Sequence, residues 1–261
     1  MPITGVLGDQ QAACLGHLLR PGEVKTTYGT GCFILTNTGE EPVLSKNGML
    51  TTVCYRLNGQ TQYALEGAVE TAGAALQWAK SVGLVTDNQK LTEEALSVDD
   101  CGDVYFVPAF GGLLTPHYRD DARGMLIGMS LNTTRGHLMR ALLEGPCLRT
   151  AEVIEAMEKD SGTKVGAMAV DGGMSQNDLM MQTQADLIDA KIERKQESEI
   201  TGMGAAVAAG LKVGVWGSVE EIRSKIELDR VFEPKLGSDW RTKKRARFSQ
   251  AIERSKGFGY Q

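Results

Sequence analysis

The sequence predicts an α/β fold, with one mixed sheet covered by helices on both faces. Three observations predict it. Short apolar runs alternate with helical patterns along the chain. A β-meander occupies roughly the first quarter. Strand-to-helix alternation follows it. The 261 residues are 42% hydrophobic and 23% charged, enough to bury a substantial core. No repeat or low-complexity linker divides them, so residues 1–261 are expected to form a single domain.

Ile3 to Leu7 reads as a short strand, and Gln10 to Leu19 as a helix ended by Arg20-Pro21-Gly22. The β-meander follows as Val24–Tyr28, Phe33–Asn37, Leu50–Leu57 and Gln62–Leu65. Its last two strands flank Asn58-Gly59, a hairpin pair that tolerates positive φ at both positions. Gly67 to Ser81 is an Ala-rich helix, and residues 84–103 are polar and in part irregular. Tyr105–Pro108 is a strand. Thr134 to Lys159 is a long amphipathic stretch that Gly145-Pro146 should interrupt, because proline in a helix interior costs about 3 kcal/mol or more. Ala167–Val170 is a strand, Asn177–Leu187 a helix and Lys191–Lys195 an edge-like strand. Helical patterns at Thr201–Val213, Val219–Ile226 and Lys243–Ser255 close the chain.

Composition excludes several function classes. A net charge of −5 disfavours a nucleic-acid footprint. The basic residues Arg241, Lys243, Lys244, Arg245 and Arg247 read as the solvated face of a C-terminal helix. Five cysteines without a C-x-x-C pair imply no disulfide framework, three scattered histidines show no metal-ligand spacing, and no metal site is expected within the chain. There is no apolar run of about 18 residues and no signal-peptide pattern, so an intracellular, reducing compartment is expected, the cytoplasm first.

Three glycine-rich segments merit separate reading. Tyr28-Gly29-Thr30-Gly31-Cys32 lies between two strands; it is a tight turn, or a loop whose open backbone and Thr30 hydroxyl meet phosphate oxygens. Val170-Asp171-Gly172-Gly173 leads through Met174 into a helix; Asn177 is an N-cap, or it bonds a base edge beside a nucleoside laid against the glycines. Gly202-Met203-Gly204-Ala205-Ala206-Val207 lacks the small third position and the preceding strand of a dinucleotide site, so its small residues are assigned to close helix packing. Asp9, in Gly8-Asp9-Gln10-Gln11, is placed at a strand-to-helix corner, where it caps the helix or accepts a proton from a substrate hydroxyl.

In order and spacing, Gly8-Asp9-Gln10-Gln11-Ala12-Ala13, Thr27-Tyr28-Gly29-Thr30-Gly31-Cys32-Phe33, Tyr63-Ala64-Leu65-Glu66-Gly67, Ala72-Gly73-Ala74-Ala75-Leu76-Gln77-Trp78 and Val170-Asp171-Gly172-Gly173 resemble the glycerol kinases of the FGGY carbohydrate-kinase family. The resemblance runs from Ile3 to about Arg247. It implies an RNase H-like, actin-type ATPase fold that transfers the ATP γ-phosphoryl group to glycerol. By that resemblance Asp9 is the catalytic base, and Gln10 and Phe33 line the glycerol pocket. Thr30, Gly31, Gly73, Gln77, Gly172, Gly173 and Asn177 bind the nucleotide.

The resemblance covers only the family's C-terminal half. An N-terminal half would supply the first phosphate loop, the Mg²⁺-linked acid and most glycerol contacts, so the chain alone is expected to be inactive or nearly so. Three departures from the family pattern, Gly145-Pro146-Cys147-Leu148-Arg149, His117-Tyr118 and Glu70, suggest relaxed catalytic demands. Two readings follow: half of a working glycerol kinase whose partner is an N-terminal half, or a non-catalytic kinase-derived subunit of a larger assembly.

Overall fold

In the computed structural model, which describes residues 2–259, the meander and the later strands join one sheet. Its strands are β1 (Val24–Tyr28), β2 (Cys32–Gly39), β3 (Leu50–Leu57), β4 (Gln60–Val69), β7 (Ala167–Asp171), β8 (Lys191–Lys195) and β9 (Leu228–Phe232), in the order β3-β4-β2-β1-β7-β8-β9. The pairs β3/β4, β4/β2, β2/β1 and β8/β9 are antiparallel, whereas β1/β7 and β7/β8 are parallel. A separate antiparallel pair joins β5 (Tyr105–Val107) to β6 (Met125–Ile127). Asn58 and Gly59 both take positive φ, 49° and 85°, so the hairpin closes as its two residues require.

Side chains alternate across a strand, and here both sides are covered. Ile34 and Leu65 enter the main core with Leu142 and Ile154 of α4 (Arg135–Ser161) and Met181 of α5 (Asp178–Ile188). Their neighbours Leu35 and Ala64 point the other way, toward Cys14 of α1 (Asp9–Gly16). Behind α1 lies α6 (Ile200–Val213), and the small residues forecast for close packing do pack closely. A Cβ on Gly204 would stand 1.8 Å from the Ala12 carbonyl oxygen, and one on Gly16 would stand 2.1 Å from that of Ile200.

Several expectations need correction. Ile3–Leu7 forms no strand; it finds no ladder partner, and Ile3 and Val6 stand exposed. Gly67 does not begin a helix. β4 continues to Val69 because β2 pairs with it as far as Cys32↔Val69, and α2 starts only at Gly73 (Gly73–Ser81). Residues 84–103 are irregular in part, as expected, but hold an unforeseen helix at their centre, α3 (Asn88–Leu96), where the Asp87 carboxylate accepts from Lys90 N–H. Pro146 does not interrupt α4, which runs 27 residues through it. The missing N–H costs one hydrogen bond, but contacts with strands and helices on either side hold the helix. β8 is an inner strand, and the unforeseen β9 forms the edge. The basic C-terminal residues are not all solvated. On α8 (Ser238–Ser255), Lys244 is buried 2.6 Å from Glu144, and Arg245 and Arg241 pair with Glu155 and Asp189.

The departures at positions 117 and 145–149 are tied into the fold. Arg149 is buried, donates to the Thr115 carbonyl at 2.6 Å and pairs with Glu152, which His117 also approaches.

Candidate functional site

Because β1 and β7 are parallel neighbours, their C-terminal ends open on one rim. β4 ends there as well, being antiparallel to β2, which is antiparallel to β1. Open α/β sheets place ligands at such a junction of strand ends. Three connections therefore meet: Gly29-Thr30-Gly31 after β1, residues 70–72 after β4, and Gly172-Gly173 after β7. The first two are bonded together. Gly73 N–H donates to the Gly29 carbonyl at 3.0 Å, and the Ala72 and Ala74 N–H groups donate to the Thr30 carbonyl at 2.8 and 3.1 Å. The first donors of α2 are thus satisfied by the loop. A Cβ on Gly73 would come within 2.6 Å of the Gly29 oxygen, so only glycine permits this approach.

A cleft of about 510 Å³ lies over this junction. Thr30, Gly73, Gln77, Gly173 and Asn177 line it, far apart in sequence and together in space. Its outer wall comes from α3, through Asn88, Gln89 and Thr92, residues that the sequence reading missed. The signal was available: Asp87 before a Leu91/Ala95 apolar stripe is a helix start. Asn177 is the N-cap of α5, and its other amide end has a protein partner that the sequence did not announce. Its Oδ1 accepts from Met180 N–H at 3.0 Å, capping α5, while its Nδ2 donates to Thr92 Oγ1 at 2.8 Å and draws α3 to the cleft.

Two expected nucleotide residues shape the cleft without lining it. Gly31 is buried, and a Cβ there would meet the Val69 and Glu70 carbonyls at 2.5 and 2.8 Å. Gly172 has φ +85°, and a Cβ would meet the Tyr28 oxygen at 2.4 Å. Both let backbones cross.

Asp9, Gln10 and Phe33 do not line the cleft. They gather beside it, around a residue that sequence reasoning overlooked. Lys25 is fully buried on β1; its Nζ donates to Gln10 Oε1, to Thr27 Oγ1 at 2.9 Å and to the Phe33 carbonyl at 3.4 Å. Burial pushes the ammonium below its usual range, and the Cys14 thiol with the Asp171, Glu66 and Asp9 carboxylates pulls it back. Its sequence signal was a lysine inside an otherwise apolar and Thr-rich central strand. Asp9 is the first residue of α1, with Gly8 at the N-cap position; it is exposed and among the described residues accepts from its neighbour Gln10 N–H at 2.8 Å. Desolvation raises the half-buried Glu66 carboxyl, opposed by Lys25.

Asp171 connects the two groups. It ends β7 immediately before the glycine pair, accepts from His17 at 2.6 Å and is hydrogen-bonded by Thr27. Desolvation would raise its carboxyl, but the His17 hydrogen bond first, then the Lys25 charge and the Thr27 hydrogen bond, bring it below the usual range.

Comparison with known proteins identifies the family and the fold. The family model for the C-terminal domain of the FGGY family of carbohydrate kinases matches residues 24–213. A glycerol kinase of Methylorubrum populi is 48% identical over 261 residues, covering 99% of this chain and 52% of the relative. Glycerol kinase 2 of Thermotoga maritima is 47% identical, with 99% and 52% covered. The crystal structure of Plasmodium falciparum glycerol kinase with ADP superposes with a TM-score of 0.92 at 41% identity, covering 98% of this chain and 51% of that one. A xylulose kinase of Lactobacillus acidophilus, at 21% identity and a TM-score of 0.78, shares the fold. The chain spans about half the length of the curated relatives it matches. With its mixed sheet between two helical layers in the actin-like, RNase H-like manner, it belongs to the FGGY family of carbohydrate kinases and resembles their C-terminal domain.

Proposed function

We propose that residues 1–261 form the nucleotide-binding domain of a glycerol kinase, one that transfers the ATP γ-phosphoryl group to glycerol only when an N-terminal kinase half closes the other side of the cleft, in the cytoplasm. The observation that carries this reading is the convergence of Thr30, Gly73, Gln77, Gly173 and Asn177 on one cleft, in a chain similar to a glycerol kinase solved with ADP.

In this reading the nucleoside lies against Gly173, between Asn177 and Gln77. The phosphates run toward the Gly29-Thr30-Gly31 turn, where the exposed Thr30 hydroxyl donates to a phosphate oxygen. Glycerol sits beside Gln10 and Phe33, whose exposed ring meets its carbon chain. Asp9, open to solvent at the start of α1, takes the proton of the attacking hydroxyl. Phosphoryl transfer depends mostly on positioning and charge neutralisation. Mg²⁺ supplies that neutralisation when bound. By the family resemblance the ion would be held by the nucleotide and by groups of the N-terminal half, and no residue of this chain is assigned to it.

Joining this chain to the N-terminal half of the Methylorubrum populi relative, and assaying glycerol phosphorylation in a coupled assay, tests the reading. Turnover by the fusion and none by the isolated chain is expected. A folded fusion without turnover favours the second reading, a non-catalytic kinase-derived subunit of a larger assembly. That reading draws on the exposed apolar side chains Ile3, Val6, Phe33, Leu50 and Val53.

A further inference from the structure

We propose that Lys25 is a positioning residue for the glycerol side of the site: its Nζ holds Gln10 by the carboxamide oxygen, and so fixes the Gln10 Nε2–H₂ group as the donor presented to a substrate hydroxyl. This rests on the functional reading above and adds a residue to it.

Lys25 has no accessible surface, so it cannot touch glycerol itself. It acts through what it holds. Its three partners are Gln10 Oε1, Thr27 Oγ1 and the Phe33 carbonyl, and they come from α1, β1 and β2. Three acceptors around one nitrogen match the three N–H donors of an ammonium. An ammonium can only donate, so of the two ends of the Gln10 carboxamide it selects the oxygen. The Nε2 end of this half-buried side chain is then left for the open side. The carboxylates that offset the buried charge are Asp9 on α1, Glu66 on β4 and Asp171 on β7. The same nitrogen also holds the backbone of Phe33, whose ring is exposed on that side. One buried cation thus ties together the two residues assigned to glycerol, and through Thr27 it reaches Asp171 and the nucleotide loop.

Without Lys25 the Gln10 carboxamide turns freely, and its donor faces the substrate only part of the time. The chemistry selected is therefore a substrate hydroxyl that accepts at Gln10 while another is deprotonated at Asp9. Adjacent hydroxyls of a small polyol satisfy both.

The test uses Lys25→Met in the two-half fusion and in the isolated chain. In the fusion, the KM for glycerol should rise about tenfold while the KM for ATP changes less than about twofold, the loss of one well-placed hydrogen bond. In a Gln10→Ala background the same substitution should add less than about twofold, because both changes remove one interaction. In the isolated chain, the ¹³C resonance of the Gln10 side-chain carbonyl should move upfield when its ammonium donor is removed, a readout independent of turnover. An unmoved Gln10 resonance overturns the assignment, as does an equal rise in both KM values or full additivity with Gln10→Ala. An active wild-type fusion with an unchanged glycerol KM in Lys25→Met removes Lys25 alone. A wild-type fusion without turnover removes the functional reading, and the substrate side of this assignment with it.

Discussion

His17 Nε2 lies 2.6 Å from the Asp171 carboxylate, tying α1 to the last residue of β7 directly before the glycine pair. Both side chains are buried, and burial holds the imidazole below its ordinary range despite the carboxylate beside it. The neutral ring donates from Nε2, while the buried Nδ1 has no partner among the described residues. The bond is therefore a charge-assisted hydrogen bond between a neutral imidazole and an ionised carboxylate.

This pair sets a pH dependence. The unfolded chain binds a proton at His17 near the ordinary value of 6.5, and the folded chain refuses it. Stability should consequently fall as pH drops below about 6.5, with a slope of at most about 1.4 kcal/mol per pH unit from this group. Asp171, held low in the fold, keeps its contribution above the ordinary 3.8 and loses it only at more acid pH. Urea unfolding between pH 7 and 5 should show a shallower slope for His17→Gln than for the wild type. Equal slopes would contradict the assignment.

The two glycines after β7 should separate fold from binding. Gly172→Ala forces a side chain to φ +85° and against Tyr28 backbone, and should cost about 2–3 kcal/mol or more. At Gly173 an added Cβ meets nothing within 4 Å, yet the residue lines the cleft. Gly173→Ala should keep its melting temperature and weaken ADP binding in a fluorescence titration. Undiminished ADP affinity in Gly173→Ala would remove it from the nucleotide surface.

Asn177 carries two bonds that substitutions can divide. Asn177→Ala loses the α5 cap and should cost roughly 0.5–2 kcal/mol in urea unfolding. Asn177→Asp keeps a capping oxygen but no longer donates to Thr92. It should hold most of that stability while α3 amides exchange faster with solvent. Unchanged exchange in α3 would mean that the Thr92 bond does not secure the wall of the cleft.

Asp9 is exposed and, among the described residues, bonds to the next backbone N–H, so Asp9→Asn should leave stability within about 0.5 kcal/mol. In the two-half fusion it should lower kcat by roughly 10²–10⁴ with little change in either KM, as expected for a general base. A kcat near that of the wild type would exclude the role.

Part of the cleft is legible in sequence, because glycine and threonine directly after a strand mark either a tight turn or a loop open to an anion. Gly29, Thr30 and Gly173 announce themselves through the β-strands before them. The meander is legible from its short β-rich runs and from Asn58-Gly59, which closes its last hairpin. Lys25 leaves only a faint signal, a lysine inside an apolar strand, because a lysine is ordinarily solvated; only the packing of α1 onto β1 gives it three acceptors and no accessible surface. Pro146 misleads in the opposite direction, since helix propensity is local while the contacts that carry α4 across it come from the sheet and the neighbouring helices.

Local chemistry alone thus determined the α/β class, the order of most strands and helices, and which small residues would stand at strand ends. The tertiary structure decided which of those small residues face a ligand and which let backbones cross, as Gly173 and Gly172 show side by side. It also decided that Asp9 and Gln10 would gather around a buried ammonium rather than line the nucleotide cleft. The physical reason is that backbone conformation follows from near neighbours, whereas burial, charge pairing and the meeting of distant strand ends depend on how the sheet and its two helical layers close over one another.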